Sequence, residues 1–502
     1  MKNSLGRYVP EGFIPFQSSR AFLEQPRTRE KIILSENKGN KKLSSISGAF
    51  DRLGIGADMT LSFHHHLRNG DLVMNLVFEE IKSRNLKNMT IAASSIFPNN
   101  RILSELIENG NVTNVYTNYL NGEVAKSISE GKLQGMLYMD THGGRSRAIE
   151  SGDIKIDVAF IAVPCSDEAG NGNGLSGPSA CGSLGYAIPD LLYAKKKVVV
   201  TDFLVPKVEY VEIEAKYVDY VVVIDKIGNQ SGIESGTTRI TRDPVGLKIA
   251  ETTALLLSEL GLIRENFSMQ TGAGGTALAV TRFIREIMEK ENVKAGFASG
   301  GITHYFTEML KKGLINKLYD VQCFDLEAVK SLAENPNHHS ISAFKYANPY
   351  EDAIVNHLDF VILGATEVDL SFNVNVTTAS NGLIMGGSGG HADTASGAKV
   401  SIIVTPLFKT RLPIIRPEIT TITTPGEDID IVVTERGIAI NPKRIDLLEK
   451  LKNSHLPIMS IKDLSKIALA YTGIPEVRVK KEQVIGVVRY RDQTIIDTLF
   501  QM

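Results

Sequence analysis

Asp157-Val-Ala-Phe-Ile-Ala-Val163 and Asp359-Phe-Val-Ile-Leu-Gly-Ala365 decide how this chain is built. Each is a short run, apolar on both faces and rich in β-branched or aromatic residues, which reads as a strand buried in a parallel sheet. They stand 202 positions apart (157 to 359), and the loops after them keep that register. Asp167 matches Asp369, Asn171 matches Asn373, Asn173 matches Asn375 and Lys197 matches Lys399. Chance matches would scatter instead of holding one offset across a loop. A small-residue cluster then follows in each half, Gly177 to Gly185 and Gly386 to Gly390. Upstream, Gly70-Asp-Leu-Val-Met74 and Gly275-Thr-Ala-Leu-Ala279 each open a helical stretch that closes near Asn85-Leu-Lys87 or Asn292-Val-Lys294.

Working outward, further strands are expected at 197–201, 218–224, 400–405 and 429–433, and helices at 72–83, 244–260, 277–289 and 306–312. Strand and helix in alternation predict an α/β fold of two tandem homologous domains with mainly parallel sheets. The division expected is an N-terminal arm over 1–45 and domains over 46–262 and 263–502, each of ordinary domain size. Residues 1 to 42 hold nine Lys or Arg against four Glu, with Pro10, Pro15 and Pro26 breaking any long helix. They read as an extended arm that docks on a partner or on the domain surface, or as a solvated tail.

Composition narrows the function. The 502 residues carry 55 Lys plus Arg against 57 Asp plus Glu, too balanced for the basic excess of a dedicated nucleic-acid binder. No apolar stretch approaches a membrane span of roughly 20 residues, and no secretory leader is recognised, so no membrane role is expected. Three cysteines, Cys165, Cys181 and Cys323, show no C-x-x-C spacing and fit a reducing, cytoplasmic setting.

Several motifs invite a function. Gly172-Asn-Gly174-Leu-Ser-Gly177 satisfies G-x-G-x-x-G, but Asp167 and Glu168 precede it where a dinucleotide's phosphates would sit, which speaks against a nicotinamide site. Gly272-Ala-Gly274-Gly275 and Gly386-Gly-Ser-Gly-Gly390 are more telling, because successive backbone N–H groups can face an anion or a developing oxyanion. His64-His-His66 lacks any accompanying metal-ligand pattern, and no metal is expected there. One of the three lining a pocket ahead of Arg68 is one reading, and a structural role is the other. His338-His339 reads as a loop pair. His142-Gly-Gly-Arg145-Ser-Arg147 places an imidazole and two guanidinium groups around what reads as a flexible turn, suited to carboxylates, with plain surface arginines as the alternative.

Taken together, Gln270-Thr-Gly272-Ala-Gly274-Gly275, Gly364-Ala-Thr-Glu-Val-Asp369, Asn373-Val-Asn375, Gly386-Gly-Ser-Gly-Gly390 and Val433-Thr-Glu-Arg-Gly437 resemble the coenzyme A transferase superfamily, in the same order. Gly48-Ala-Phe50, His142-Gly-Gly-Arg145, Gly177-Pro-Ser-Ala-Cys-Gly182 and His391-Ala-Asp393 look more closely like the citrate lyase alpha-chain family. That resemblance implies a citrate CoA-transferase that exchanges acetyl for citryl on a thioester and releases acetate. It implies no directly bound cofactor, the thiol coming from acyl-CoA or from the CoA-like group of a gamma, acyl carrier subunit. A beta subunit that cleaves the citryl thioester and an oligomeric complex are implied as partners. The alternatives are a general short-chain acid CoA transferase with a glutamyl-CoA intermediate, and a non-catalytic assembly subunit.

Many members of the superfamily carry a nucleophilic Glu after a Ser or Thr at the end of the strand that follows the first glycine loop. Here that strand ends in Ser299-Gly300-Gly301, and the expected glutamate position falls on Gly300. Glu308 lies in a helical setting and is not taken as a replacement. Citrate's own carboxylate then becomes the nucleophile, through a mixed anhydride. Such a route needs oxyanion donors, cations for a tricarboxylate and exclusion of water. The positions expected to carry catalysis are Ser299, Gly300, Gly301, Gly387 and Gly389. Citrate is assigned to Arg145, Arg147, His142, Arg68, Asn373, Asn375 and His391, and the thioester to Gly272, Gly274, Gly275, Gly386 and Gly390. Asp167, Glu367 and Asp369 are expected to order their loops and not to act as acids or bases.

Overall fold

The structure is a computed structural model that describes residues 1–21, 27–234, 238–475 and 481–502. Two large sheets organise it. In the first, seven parallel strands run in the spatial order Tyr220–Val223, Lys196–Thr201, Val158–Ala162, Thr60–Phe63, Met89–Ala93, Val112–Thr117, Leu137–Met139. The second repeats that order with Ile431–Val433, Val400–Val404, Phe360–Leu363, Phe267–Thr271, Ala295–Ile302, Ile315–Cys323 and His338–Ser340. Helices cross between strands on both faces, so the strands are buried on two sides and read as unbroken apolar runs. Val158–Ala162 and Phe360–Leu363, the two runs that set the offset, are buried along their whole length.

The offset of 202 reappears as hydrogen bonds. Cys165–Ser166 pairs antiparallel with Gly172–Asn173, and Glu367–Val368 pairs antiparallel with Val374–Asn375, residue for residue at the same spacing. Inside each small hairpin one carboxylate gathers the turn. Asp167 accepts from the amides of Gly170 and Asn171 and from Asn171 Nδ2, while Asp369 accepts from the amides of Ser371 and Asn373 and from Asn373 Nδ2. Glu367, fully buried, accepts from Asn375 Nδ2, Ser380, Thr420 and Arg416. Asp167 and Asp369 bind their own loops, and Glu367 ties its loop to the 416–420 segment as well. The helices Val73–Ser83 and Gly275–Glu291 are each followed by an asparagine with left-handed φ, Asn85 at 51° and Asn292 at 53°, a common way to stop a helix.

The last strands do not stay with the second sheet. Val484–Arg489 lies parallel to Leu137–Met139, and Ile495–Phe500 closes that edge antiparallel, so the chain returns to the first sheet at its end. The N-terminal arm docks on this edge: Asn3 Nδ2 donates to the carbonyls of Ile495 and Ile496, and Phe16 is fully buried. Its continuation adds Lys42–Leu43 to the opposite edge, beside Tyr220–Val223. Both edges that would otherwise offer unpaired backbone are thereby covered. Between them Arg27 and Arg29 pair with Glu150 of the first half and Glu351 of the second. Among the described residues no helix is long and apolar enough to cross a membrane.

Candidate active site

The carboxyl ends of the strands of both sheets border one cavity of ≈ 1190 Å³, the position where open α/β sheets receive ligands. The first half supplies His65 and Arg68 after Thr60–Phe63, Phe97 after Met89–Ala93, Tyr119, His142 and Tyr186. The second supplies Gln270 to Gly274, Gly301, Phe324, Tyr346 and the run Gly386 to His391.

The Gly386–Gly390 loop is seated on the first half. Leu120 donates to the Gly386 carbonyl at 3.2 Å, Gly389 donates to the Asn118 carbonyl at 3.1 Å and His142 donates to the Gly389 carbonyl at 2.8 Å. The contact is so close that a Cβ on Gly387 would stand 2.2 Å from the Asn118 carbonyl oxygen. The amides of Gly387, Ser388 and Gly390 donate to no acceptor among the described residues. By the internal repeat, the Gly182–Gly185 segment of the first half packs on Cys323 and Ile341 of the second. The halves thus exchange glycine loops across the cavity.

His142 opens a helix, His142–Glu150, and not the flexible turn expected from its glycines. Thr141 caps it, Asp393 accepts from the Gly143 amide, and a Cβ on Gly143 would fall 1.9 Å from the Ala347 carbonyl oxygen. These glycines permit close packing of the halves. His142 itself lines the cavity, stacked at 5.7 Å on His65 and 4.3 Å from Tyr186. Burial holds His142 at about 3 and His391 at about 4, and it pulls His65 well below the ordinary imidazole value. At neutral pH these rings are uncharged, and Arg68 is the one Arg or Lys among the described lining residues. Its guanidinium carbon sits 4.5 Å from the Phe324 ring centre and 5.6 Å from that of Phe97.

Several expected residues lie elsewhere. Arg145 is buried beneath the cavity, bound to both oxygens of Asp190, to Ser62 Oγ and to the Ala92 carbonyl. Arg147 faces away and pairs with Asp153 at 2.5 Å. Asn373 and Asn375 are spent on Asp369, Glu367, the Gly426 amide and the 377–378 turn. His391 lines the cavity, with its ring held between Thr424 Oγ1 and the Gly364 carbonyl. Gly272 and Gly274 line it, whereas Gly275 packs against the Arg239 carbonyl and Thr241. Ser299 is buried off the wall, Gly301 is on it, and Gly300 stands behind Gln270. His338 is in a strand and paired at 3.1 Å with buried Asp320, not in a loop. Glu308 is on a helix and pairs with Arg285. Among the described residues no group of three or more His, Cys, Asp or Glu could hold a metal ion.

The placement of Arg145 yields a prediction. Arg145→Ala strands Asp190 without its cation in the interior, which typically costs about 3–5 kcal/mol. Denaturant unfolding should report that loss, and the citrate KM of the folded fraction should stay unchanged. A raised KM at unaltered stability would instead return Arg145 to the ligand.

Sequence reasoning did not single out Gln270 as a site residue in its own right, nor Tyr346, Tyr186 or Phe324. Gln270 was legible as the first residue of its glycine motif; the three aromatics carry no motif.

The family model "Citrate lyase, alpha subunit (CitF)" matches residues 39–502. The chain belongs to the citrate lyase alpha-subunit family. The Citrate lyase alpha chain of Haemophilus influenzae is 45% identical over 467 residues, 93% of each chain. That of Escherichia coli is 44% identical over 485 residues, covering 96% of this chain and 94% of the other. A crystal structure of the alpha subunit of citrate lyase from Streptococcus mutans, in complex with citrate, superposes with a TM-score of 0.94 at 42% identity and full coverage of both chains. The alpha subunit of a malonate decarboxylase from Acinetobacter baumannii shares the fold, with a TM-score of 0.64 at 15% identity over 87% of this chain and 85% of the other. The α/β architecture with mainly parallel sheets and the citrate CoA-transferase class expected from the motifs are those of the citrate lyase alpha subunits.

Proposed function

We propose that the cavity between the two sheets exchanges acetyl for citryl on a carrier-borne thioester, with citrate's own carboxylate as nucleophile. The carboxylate oxygen attacks the acetyl carbonyl, the C–S bond breaks and the thiolate leaves with the electron pair. The thiolate then attacks the citryl carbonyl of the mixed anhydride, the C–O bond breaks and acetate departs with the oxygen that citrate supplied. The observation that carries this reading is Gly300. Its φ is +101°, which strains any side chain, and a Cβ there would press on the Gln270 carboxamide at 2.6 Å, so the position that the resemblance assigns to the nucleophile carries no carboxylate and is shaped for glycine. Glu234 is the one carboxylate among the described lining residues, and it pairs with Arg239 at 3.7 Å with its side chain 43% exposed.

The amides of Gly387, Ser388 and Gly390, which donate to no acceptor among the described residues, suit the two tetrahedral oxyanions. Arg68 and the neutral rings of His65 and His142 suit citrate, and the uncapped start of the helix Gly275–Glu291, at Gly272 to Gly274, suits the thiol carrier. In the cell the thiol would come from a gamma, acyl carrier subunit and the citryl thioester would pass to a beta subunit for cleavage, within a cytoplasmic complex. All three cysteines are buried and unpaired, as such a compartment favours.

Isotope transfer tests this. With enzyme in excess over acetyl thioester, citrate labelled with ¹⁸O in its carboxylates should pass label to acetate in the first turnover. A glutamyl-CoA route would give unlabelled acetate first, because that oxygen would come from the enzyme. An assembly subunit would give no acetate at all.

A further inference from the structure

Two glycines of the site make room for two side chains. A Cβ on Gly390 would stand 2.4 Å from the hydroxyl of Tyr346, and one on Gly300 would stand 2.6 Å from Nε2 of Gln270. Gln270 and Tyr346 are 6% and 2% exposed, come from different elements of the second half, and both line the cavity. They meet through one bond, in which Gln270 Nε2 donates to the Tyr346 hydroxyl oxygen at 2.8 Å.

A phenol can accept and donate at once. Here its oxygen is occupied as an acceptor, and the hydroxyl makes no other hydrogen bond among the described residues. A buried O–H without an acceptor carries a cost unless a ligand supplies one. The cavity is where that acceptor would be, next to Gly390 and the free amides of the glycine loop.

We propose that Tyr346 is a catalytic oxyanion donor, its O–H bonding the acyl oxygen as the thioester or anhydride carbonyl becomes tetrahedral, and that Gln270 is the positioning residue that fixes its hydroxyl. This rests on the exchange reaction proposed above. A neutral phenol suits the task. It stabilises charge that develops in the transition state without adding a second cation to the site, so it does not tighten ground-state binding of a trianion. Burial raises the pKa of Tyr346 above the ordinary phenol value, which keeps the proton in place. Gly390 and Gly300 then owe their identity in part to the space that Tyr346 and Gln270 need.

The experiment is Tyr346→Phe in the full chain, assayed with acetyl thioester and citrate and paired with equilibrium dialysis of citrate. Loss of one oxyanion donor predicts a kcat lower by about 10²–10³-fold, with citrate affinity unchanged. Gln270→Leu should lower kcat less, because the phenol remains but its hydroxyl turns freely. Fluorotyrosine placed at 346 keeps the shape while making the phenol more acidic, and kcat should then shift steadily with phenol acidity. That variant serves as the readout if Tyr346→Phe fails to fold, since a merely structural phenol would leave kcat flat. A Tyr346→Phe enzyme with kcat within about threefold of the parent, or one that loses citrate affinity in proportion to rate, overturns the donor role. A parent chain that forms no citryl thioester overturns the exchange reading instead, which keeps the two failures apart.

Discussion

Gly387→Ala should abolish citryl exchange while leaving both sheets folded. The added methyl would sit 2.2 Å from the carbonyl oxygen of Asn118 and 2.8 Å from Met139 Cε. A backbone carbonyl cannot move aside as a flexible side chain does, and this one already accepts the Gly389 amide at 3.1 Å. Relief therefore has to come from lifting the Gly386–Gly390 loop off the first half, which carries its free amides away from the acyl group. Displaced oxyanion donors cost about 10²–10³-fold each in kcat. Gly389→Ala is the control within the same loop. Its φ is +50°, and the nearest atom to its Cβ is His142 Nε2 at 3.3 Å. Left-handed strain of order 1–2 kcal/mol is expected there, with a much smaller kinetic loss. Steady-state kinetics with thermal unfolding would separate the two variants. Wild-type kcat in Gly387→Ala would remove the loop from the chemistry.

The second large effect is at Arg68. Among the described lining residues it is the one cation on the wall, because burial keeps the neighbouring imidazoles neutral and Arg145 is committed to Asp190. Burial lowers Arg68 only to about 10, so its charge persists at neutral pH. A charge-assisted hydrogen bond to a carboxylate in such a setting is worth about 1.5–3 kcal/mol, and bidentate geometry adds to it. Arg68→Met should therefore raise the citrate dissociation constant by about 10²-fold. Arg68→Lys should recover only part of the loss, since an ammonium cannot stack flat between Phe97 and Phe324. Equilibrium dialysis with citrate decides it. Unchanged affinity in Arg68→Met would show that citrate's charge is met elsewhere.

Arg68 and Arg145 also show where reading a sequence stops. Both were taken as citrate ligands from residue type and proximity to a motif, and only one is on the cavity wall. Nothing local distinguishes them. His142-Gly-Gly144 read as a flexible turn for the same reason: glycine signals freedom in a free peptide, while here it marks backbone packed against Ala347.

What the amino-acid sequence by itself determined is the part governed by short range. Apolar runs, turn-gathering carboxylates and glycine clusters at one offset specified two equivalent α/β halves, and the hairpins at Asp167 and Asp369 follow from hydrogen bonds spanning four residues or fewer. The absence of a carboxylate at Gly300 was legible too, because a missing side chain is missing in any fold. Only the tertiary structure decided that Val484–Arg489 joins the sheet of Leu137–Met139, that the halves exchange glycine loops, and that Tyr346 meets Gln270. Strand pattern and capping depend on neighbours along the chain. A strand's partner edge and a buried side chain's facing depend on how separate halves pack, and close packing sets that between residues hundreds of positions apart.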